Sequence, residues 1–409
     1  MPSTERIAIT GMGVVSPIGQ GVNPYWASLI TGASGISTIE RFSTEGMRVK
    51  SGGEIKVLND LSATGDRPLP DCRASQFLVL AAGEALEMAH WREAPPEEHR
   101  LGVVIGSALG GIGQAEHLLD QPQLAQPRLE HPRDLHALTG ALHDGPTRNL
   151  AHWLGANGPV ITVSTACASG ATSLGVAADL LRAGTATAVI AGGVDILCRF
   201  VMQGFTRMRS LTRDMVRPFD RRRSGLLLGE GAGIVLLERA SSAQQRGVSP
   251  LGFLRGYASC ADGSHISAPD TAGRGLEHTM RLAMRNAGVT PDEVDFMSAH
   301  GTGTPQNDRV ETSVFKKVLG ARAYAIPVNS IKAHMGHTMG AAATLETIMC
   351  LLAWRHGQIP PTLNYGEADP ECDLDYVPNH ARAARPHLML KTAAGFAGCN
   401  ACLVLEGAA

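Results

Sequence analysis

Short β-branched runs that close on glycine alternate with Ala/Leu-rich stretches along the 409-residue chain, and this alternation limits the fold more than any other feature. Arg6–Thr10 reads as a strand that meets a glycine turn at Gly11–Gly13, and Leu101–Ile105 as a strand ending at Gly106. Val160–Val163 runs into Ser164–Cys167, followed by an Ala-rich helix lasting to Gly184. Ala188–Ala191, closed by Gly192–Gly193, and Ala232–Leu237 are the next strands, before a polar break at 241–249. Near Leu251 the pattern starts again, with a strand there, a helix at Leu276–Ala287 and strands at Val294–Ser298 and Tyr324–Val328. A helix at Gly340–Trp354 and a closing strand at Cys402–Leu405 complete it. Strands alternating with helices imply parallel sheets covered by helices. The restart predicts two similarly built halves, residues 1–250 and 251–409.

Composition removes several classes of function. A net charge of −2 argues against wholesale nucleic-acid binding, which normally carries a basic excess. The eight cysteines are scattered without the spacing of a disulfide framework. The N-terminus lacks the basic start and apolar run of a secretory signal. No uncharged apolar run reaches the roughly 18 residues of a membrane span, and the best candidate, 340–354, carries Glu346. A cytoplasmic α/β enzyme is expected. The segment 114–149, with four prolines, four histidines and little periodicity, reads as a surface excursion, or else as a lid or pocket wall.

Four segments carry chemistry-bearing side chains at strand ends. In Val163–Gly170 a strand, a tight turn of small residues and a helix start meet at Cys167. A thiol there feels the helix dipole and unpaired N–H groups, which lower its pKa and can hold an oxyanion; the alternative is an inert buried cysteine. Ser298–Asp308 delivers His300 into a loop of glycines and threonines, with Thr302, Thr304 and Asp308 in the loop and Glu311 after it. Asn329–His337 contributes Lys332, His334 and His337, and Gly395–Ala401 is a glycine turn before the last strand. Together they place a thiol, imidazoles and an ammonium on strand-end loops, where α/β folds carry their sites.

These segments, in this order, resemble the β-ketoacyl-(acyl-carrier-protein) synthases of the thiolase superfamily, from about Ile7 to Leu405. Arg217–Asp220 and Gly229–Gly233 add a fifth matching block. The resemblance is greatest to the chain-elongating type and to the discrete ketosynthases of polyketide pathways. It implies an α/β, thiolase-like αβαβα layered fold and a decarboxylative condensation in fatty-acid or, by preference, polyketide or polyene biosynthesis. Cys167 would take an acyl group from a carrier's phosphopantetheine arm, and a malonyl-carrier would then lose CO₂ to give an enolate that attacks the thioester. His300 and His337 would stabilise that enolate, and Lys332 would support them through paired charge with Glu311. The N–H groups of Cys167 and Phe396 would form the oxyanion hole, with Phe396 also gating the cleft. Thr302, Thr304, Asp308, Gly395 and Gly398 would support the site. The partners implied are an acyl carrier protein and a second chain, either a copy or a Cys-lacking paralogue. No metal or organic cofactor is implied, because the phosphopantetheine arrives on the carrier.

The chain departs from the family pattern at Ala397, where glycine is usual, a change that restricts φ and stiffens the gate. Cys399-x-x-Cys402 has redox or metal spacing but no second pair, which favours packing. His300, His334 and His337 could form a zinc triad, but the carboxylate base of an HExxH motif is missing. Seven arginines between Arg207 and Arg223 either pair with nearby acids or meet an acidic carrier, Arg222 and Arg223 being the docking candidates. A chain-length-factor-like partner without chemistry and a CoA-dependent thiolase are the competing readings; Cys167 speaks against the first.

Overall fold

The computed structural model describes residues 5–58, 70, 72–91, 99–120 and 139–408. Its centre is an eleven-stranded sheet. Ten of its strands are β1 (Ile7–Ser16), β2 (Leu101–Gly106), β3 (Val160–Val163), β4 (Ala188–Asp195), β5 (Gly231–Arg239), β6 (Gly252–Ala261), β7 (Phe296–Ser298), β8 (Val328–Asn329), β9 (Leu388–Gly395) and β10 (Cys399–Gly407). The eleventh, Gly19–Gln20, folds back on β1.

In space the strands run β3-β2-β4-β5-β1 and then β6-β10-β9-β7-β8. Counted from its own first strand, each half therefore has the order 3-2-4-5-1. The directions repeat as well. β2 is parallel to β3 and β4, while β5 is antiparallel to β4 and β1. Likewise β7 is parallel to β8 and β9, while β10 is antiparallel to β9 and β6. The halves join through a short antiparallel pairing of β1 with β6, Ile7 opposite Leu254.

Two helices form the middle layer. Ser169–Arg182 follows β3 and Ala342–His356 follows β8, and each packs on strands of both halves and on the other helix. The second is buried on every face from Ala342 to Ala353, as expected of a helix apolar all round. Outside, Arg73–Met88 covers β1, β4 and β5, Gly145–Leu154 covers β2 and β3, and Arg274–Ala287 covers β6 and β10. The result is the thiolase-like αβαβα arrangement.

Several local expectations are corrected. Gly11 and Gly13 make no turn: β1 runs through them to Ser16 because the helix Arg73–Met88 lies directly on the strand. A Cβ at Gly11 would sit 2.0 Å from Ala85 O, and one at Gly13 would sit 1.8 Å from Ala81 O. β4 likewise continues past Gly192–Gly193 to Asp195. Gly320–Tyr324 is a 3-10 turn, so β8 begins only after Pro327. The strand β9 and the helices Arg73–Met88 and Pro305–Leu319 were not anticipated. Of the segment 114–149, residues 121–138 lie outside the described residues, and 145–149 begin a packed outer helix rather than an excursion.

Candidate active site

Cys167 and His337 stand at equivalent places in the two halves, each between a third strand and a middle-layer helix. The N-terminal ends of those helices touch: a Cβ on Gly170 would be 2.5 Å from Gly340 O. This contact brings the two loops together. Cys167, His300, His337, Thr302, Thr304, Gly395 and Phe396 all line one cleft of about 410 Å³.

The turn before the nucleophile is strained, with Ala166 at φ 51°. Ser169 ties it down, its Oγ accepting from Thr165 N at 2.9 Å and donating to Ala166 O at 2.6 Å. The expectation of a lowered thiol pKa does not hold. Burial pushes the Cys167 thiol up to about 12, the Asp195 carboxylate adds to the rise, and Lys332 opposes it. Desolvation of a thiolate outweighs the helix terminus here.

His300 is delivered by β7 and held by its backbone. Glu311 accepts from His300 N at 2.8 Å and Gly301 N at 2.6 Å, and also from Asn307 Nδ2 and Thr392 Oγ1. Asp308 accepts from Phe219 N at 2.7 Å and from Gly303 N, which fastens the same loop to the Arg217–Asp220 block. Burial raises its carboxyl to about 6. Thr302 and Thr304 meet through their hydroxyls at 2.9 Å. His337 is pinned to the other matching block, its N donating to Leu227 O and its O accepting from Gly229 N.

The two imidazoles end free. Among the described residues, His300 Nδ1 and both ring nitrogens of His337 are buried without a hydrogen-bond partner. Burial, with the Lys332 ammonium, holds both rings well below the ordinary imidazole range, so they are neutral at pH 7. Buried polar atoms left unpaired are costly unless a ligand takes them up. Neutral rings facing a cleft can donate to a developing oxyanion without first losing a proton.

Lys332 does not pair with Glu311. Its Nζ lies 2.6 Å from Glu346 Oε1 and also donates to His300 O, because Glu311 is already taken by the backbone of the His300 loop. Three residues of the site were missed. Lys391 is the lone charge of β9, and Glu346 the lone charge in the buried run Ala342–Ala353 of its helix, which is a readable signal. Asp195, at the end of β4, accepts from Ser107 Oγ, Ala108 N, Leu109 N and Gly340 N, and burial lifts it to about 6. Phe396 packs against Phe205 at 5.2 Å between ring centres. Ala397 takes φ 61° and Gly398 φ 70°, so the usual glycine conformation is kept by an alanine.

Other candidates fall away from the cleft chemistry. His334 is fully buried, its ring nitrogens 3.0 Å from Ala33 O and 2.9 Å from Pro361 O, so no zinc triad forms. Cys399 and Cys402, three apart on β10, face opposite sides of the strand. Arg223 is not a surface residue: it is buried, paired with Asp369 and donating to Asp220 O and Pro305 O. Arg222 is half exposed and leans on Asp220 and Glu367. No helix among the described residues is long and apolar enough to cross a membrane.

Residues 4–243 match the beta-ketoacyl synthase N-terminal domain and residues 251–366 match the C-terminal domain. The chain belongs to the β-ketoacyl synthase family. As such it is a condensing enzyme of the acyltransferase class. It is 37% identical over 418 positions to the tetracenomycin polyketide synthase ketoacyl synthase alpha subunit of Streptomyces glaucescens, covering 98% of this chain and 97% of that one. It is 35% identical to the 3-oxoacyl-[acyl-carrier-protein] synthase 2 of Synechocystis, with 98% of each covered. Among solved structures, the ishigamide ketosynthase/chain length factor superposes with a TM-score of 0.92 at 37% identity, covering 100% of both chains. A type II polyketide ketosynthase, in complex with its acyl-carrier protein and bound to the hexaketide, gives 0.90 at 31% identity, covering 99% of this chain and 100% of that one.

Proposed function

We propose that this β-ketoacyl synthase elongates carrier-bound acyl chains in a type II polyketide-like pathway, working in the cytoplasm beside a Cys-lacking ketosynthase-like paralogue. The observation that carries the chemistry is the set of unpaired ring nitrogens of His300 and His337 in the cleft that holds Cys167. The polyketide assignment is supported by the alpha-subunit relative and by the two ketosynthase structures.

In the loading step, Cys167 Sγ attacks the acyl-carrier thioester and its proton leaves on the carrier's thiol. The N–H groups of Cys167 and Phe396 hold the oxyanion; support comes from Gly395, where an added Cβ would lie 3.1 Å from Cys167 N. In the second step, malonyl-carrier loses CO₂. The enolate oxygen is held by ring N–H donors of His300 and His337, and its carbon attacks the Cys167 thioester. The product is 3-oxoacyl-carrier, and one proton is taken up to restore the thiol. Lys332, Glu311, Asp308, Thr302, Thr304 and Gly398 keep the donors in place. The division at residue 250 assigns the nucleophile to the first half and the histidines to the second.

The partner edge is β3, whose Val160 is exposed at the end of the sheet, the ready template for a second chain. Carrier docking falls to Arg222 and to Arg209 at the cleft mouth, not to Arg223. The test is incubation with acyl-carrier and malonyl-carrier, following CO₂ and 3-oxoacyl-carrier by mass. Equimolar CO₂ and product are expected. Condensation of acyl-CoA esters in a parallel incubation, with release of CoA and no CO₂, would support the thiolase reading, and inactivity with every acyl-carrier would support the partner-subunit reading.

A further inference from the structure

Beneath His300 lies a cation that the steps above leave without a role. Lys391, on β9, is fully buried, its Nζ 2.8 Å from Glu346 Oε2, while Lys332 Nζ lies 2.6 Å from Glu346 Oε1. One carboxylate thus serves two ammonium groups. The same two ammoniums hold two successive carbonyls, Lys391 reaching Ala299 O at 3.4 Å and Lys332 reaching His300 O. From the other side Glu311 takes the amides of His300 and Gly301. Three charged side chains therefore clamp the backbone around His300, whose ring Nδ1 has no hydrogen-bond partner among the described residues. The ring is oriented through its peptide rather than through a side-chain bond.

We propose that Lys391 is a positioning residue of the condensing site, which anchors Ala299–His300 to β9 and keeps the buried charges in balance. The proposal rests on the condensation reading above. Lys332 and Lys391 stand against Glu346 and Glu311; without Lys391 the set would carry a net negative charge beside a pocket where an enolate has to form. The other titratable groups facing the set are His300 and His337 from their loops, Asp308 from the helix after His300, Cys350 from the middle-layer helix, Cys402 from β10 and Tyr25. Burial is the first cause of the low imidazole pKa values and Lys332 the next, and Lys391 pushes both rings the same way. Cys167 feels Lys332 among its leading influences, but not Lys391. Loading and condensation should therefore respond differently to a change at 391.

The experiment compares wild type with Lys391→Met and Lys391→Gln. Three readouts are used: acyl loading on Cys167, condensation as a function of pH, and ring titration by NMR of labelled histidine. In Lys391→Met, loading should change less than about threefold, while condensation falls on the order of tenfold to a hundredfold through misplacement of His300. Removing a cation favours imidazolium, so the acid limb and the His300 titration should move up by about half a pH unit or more. Lys391→Gln keeps a donor for Ala299 O and should recover part of the rate at the optimum but not the acid limb. An unmoved limb and titration in a cooperatively melting variant would overturn the proposal, as would equal losses in loading and condensation. Failure of both variants to fold would assign Lys391 to packing and also overturn it. A wild type that makes no 3-oxoacyl product would instead refute the condensation reading, with the histidine titration still reporting on Lys391.

Discussion

The rings of His300 and His337 meet edge to face, their centres 5.1 Å apart and their planes at 81°. One comes from the loop after β7 and the other from the loop after β8, so the second half of the chain sets their spacing. Among the described residues, neither ring has a carboxylate partner. Their basicity is instead lowered by burial and by nearby ammonium charge.

His300→Ala and His337→Ala should therefore leave loading of Cys167 largely intact while cutting condensation by about 10²- to 10³-fold, the usual cost of one oxyanion donor. Because the ring pKa values lie below 6.5, condensation in wild type should hold through neutral pH and be lost only on the acid side. Stopped-time mass analysis of acyl-enzyme and product across pH separates the two steps.

The thiol makes a second prediction. With the Cys167 proton held up to about 12, alkylation by iodoacetamide should be slow at pH 7 and keep rising past pH 10. Peptide mapping of alkylated wild type, with Cys167→Ala as control, measures the profile at that site. A plateau near pH 7 would show a preformed thiolate.

The gate yields opposite expectations two residues apart. Gly395→Ala places a Cβ 2.9 Å from Thr165 O and 3.1 Å from Cys167 N, closer than the turn tolerates. Loading should slow by about tenfold or more as that turn shifts. Ala397, at φ 61°, is strained where it stands, so Ala397→Gly should be neutral or stabilising by up to about 1 kcal/mol. Thermal melting and loading rates on both variants check the pair.

Adjacent arginines should also part company. Arg223 is a buried strut between Asp369 and the backbone, and Arg223→Ala should cost about 3 kcal/mol or more in unfolding free energy. Arg222→Gln, which keeps a donor toward Asp220, should leave folding nearly unchanged and raise KM for carrier substrates, with less effect on small thioesters. Denaturant unfolding and paired kinetics distinguish the two.

Much of this was legible in the chain itself. Alternating runs and the restart near Leu251 carried the two-half plan, and the loops around Cys167, His300 and His337 stood out by their small residues and strand-end positions. What escaped was set by contacts distant in sequence. Gly11 and Gly13 looked like a turn because the helix that needs them bare begins sixty residues later. Lys332 was matched with the wrong glutamate because Glu311 is consumed by backbone amides, which no spacing reveals. The thiol's shift was misjudged because a helix terminus can be read from sequence, whereas the depth of burial where the two halves meet cannot. Glu346 and Lys391 could have been found, one being the single charge in the apolar run Ala342–Ala353 and the other the single charge in Leu388–Gly395.

The whole scheme depends on a covalent acyl group at one sulfur, and intact mass spectrometry reads that directly. Wild type mixed with acyl-carrier of graded chain length should gain the mass of one acyl group per chain, and Cys167→Ala should gain none. Acyl mass retained by the alanine variant, or no gain by wild type with any carrier, would contradict the scheme.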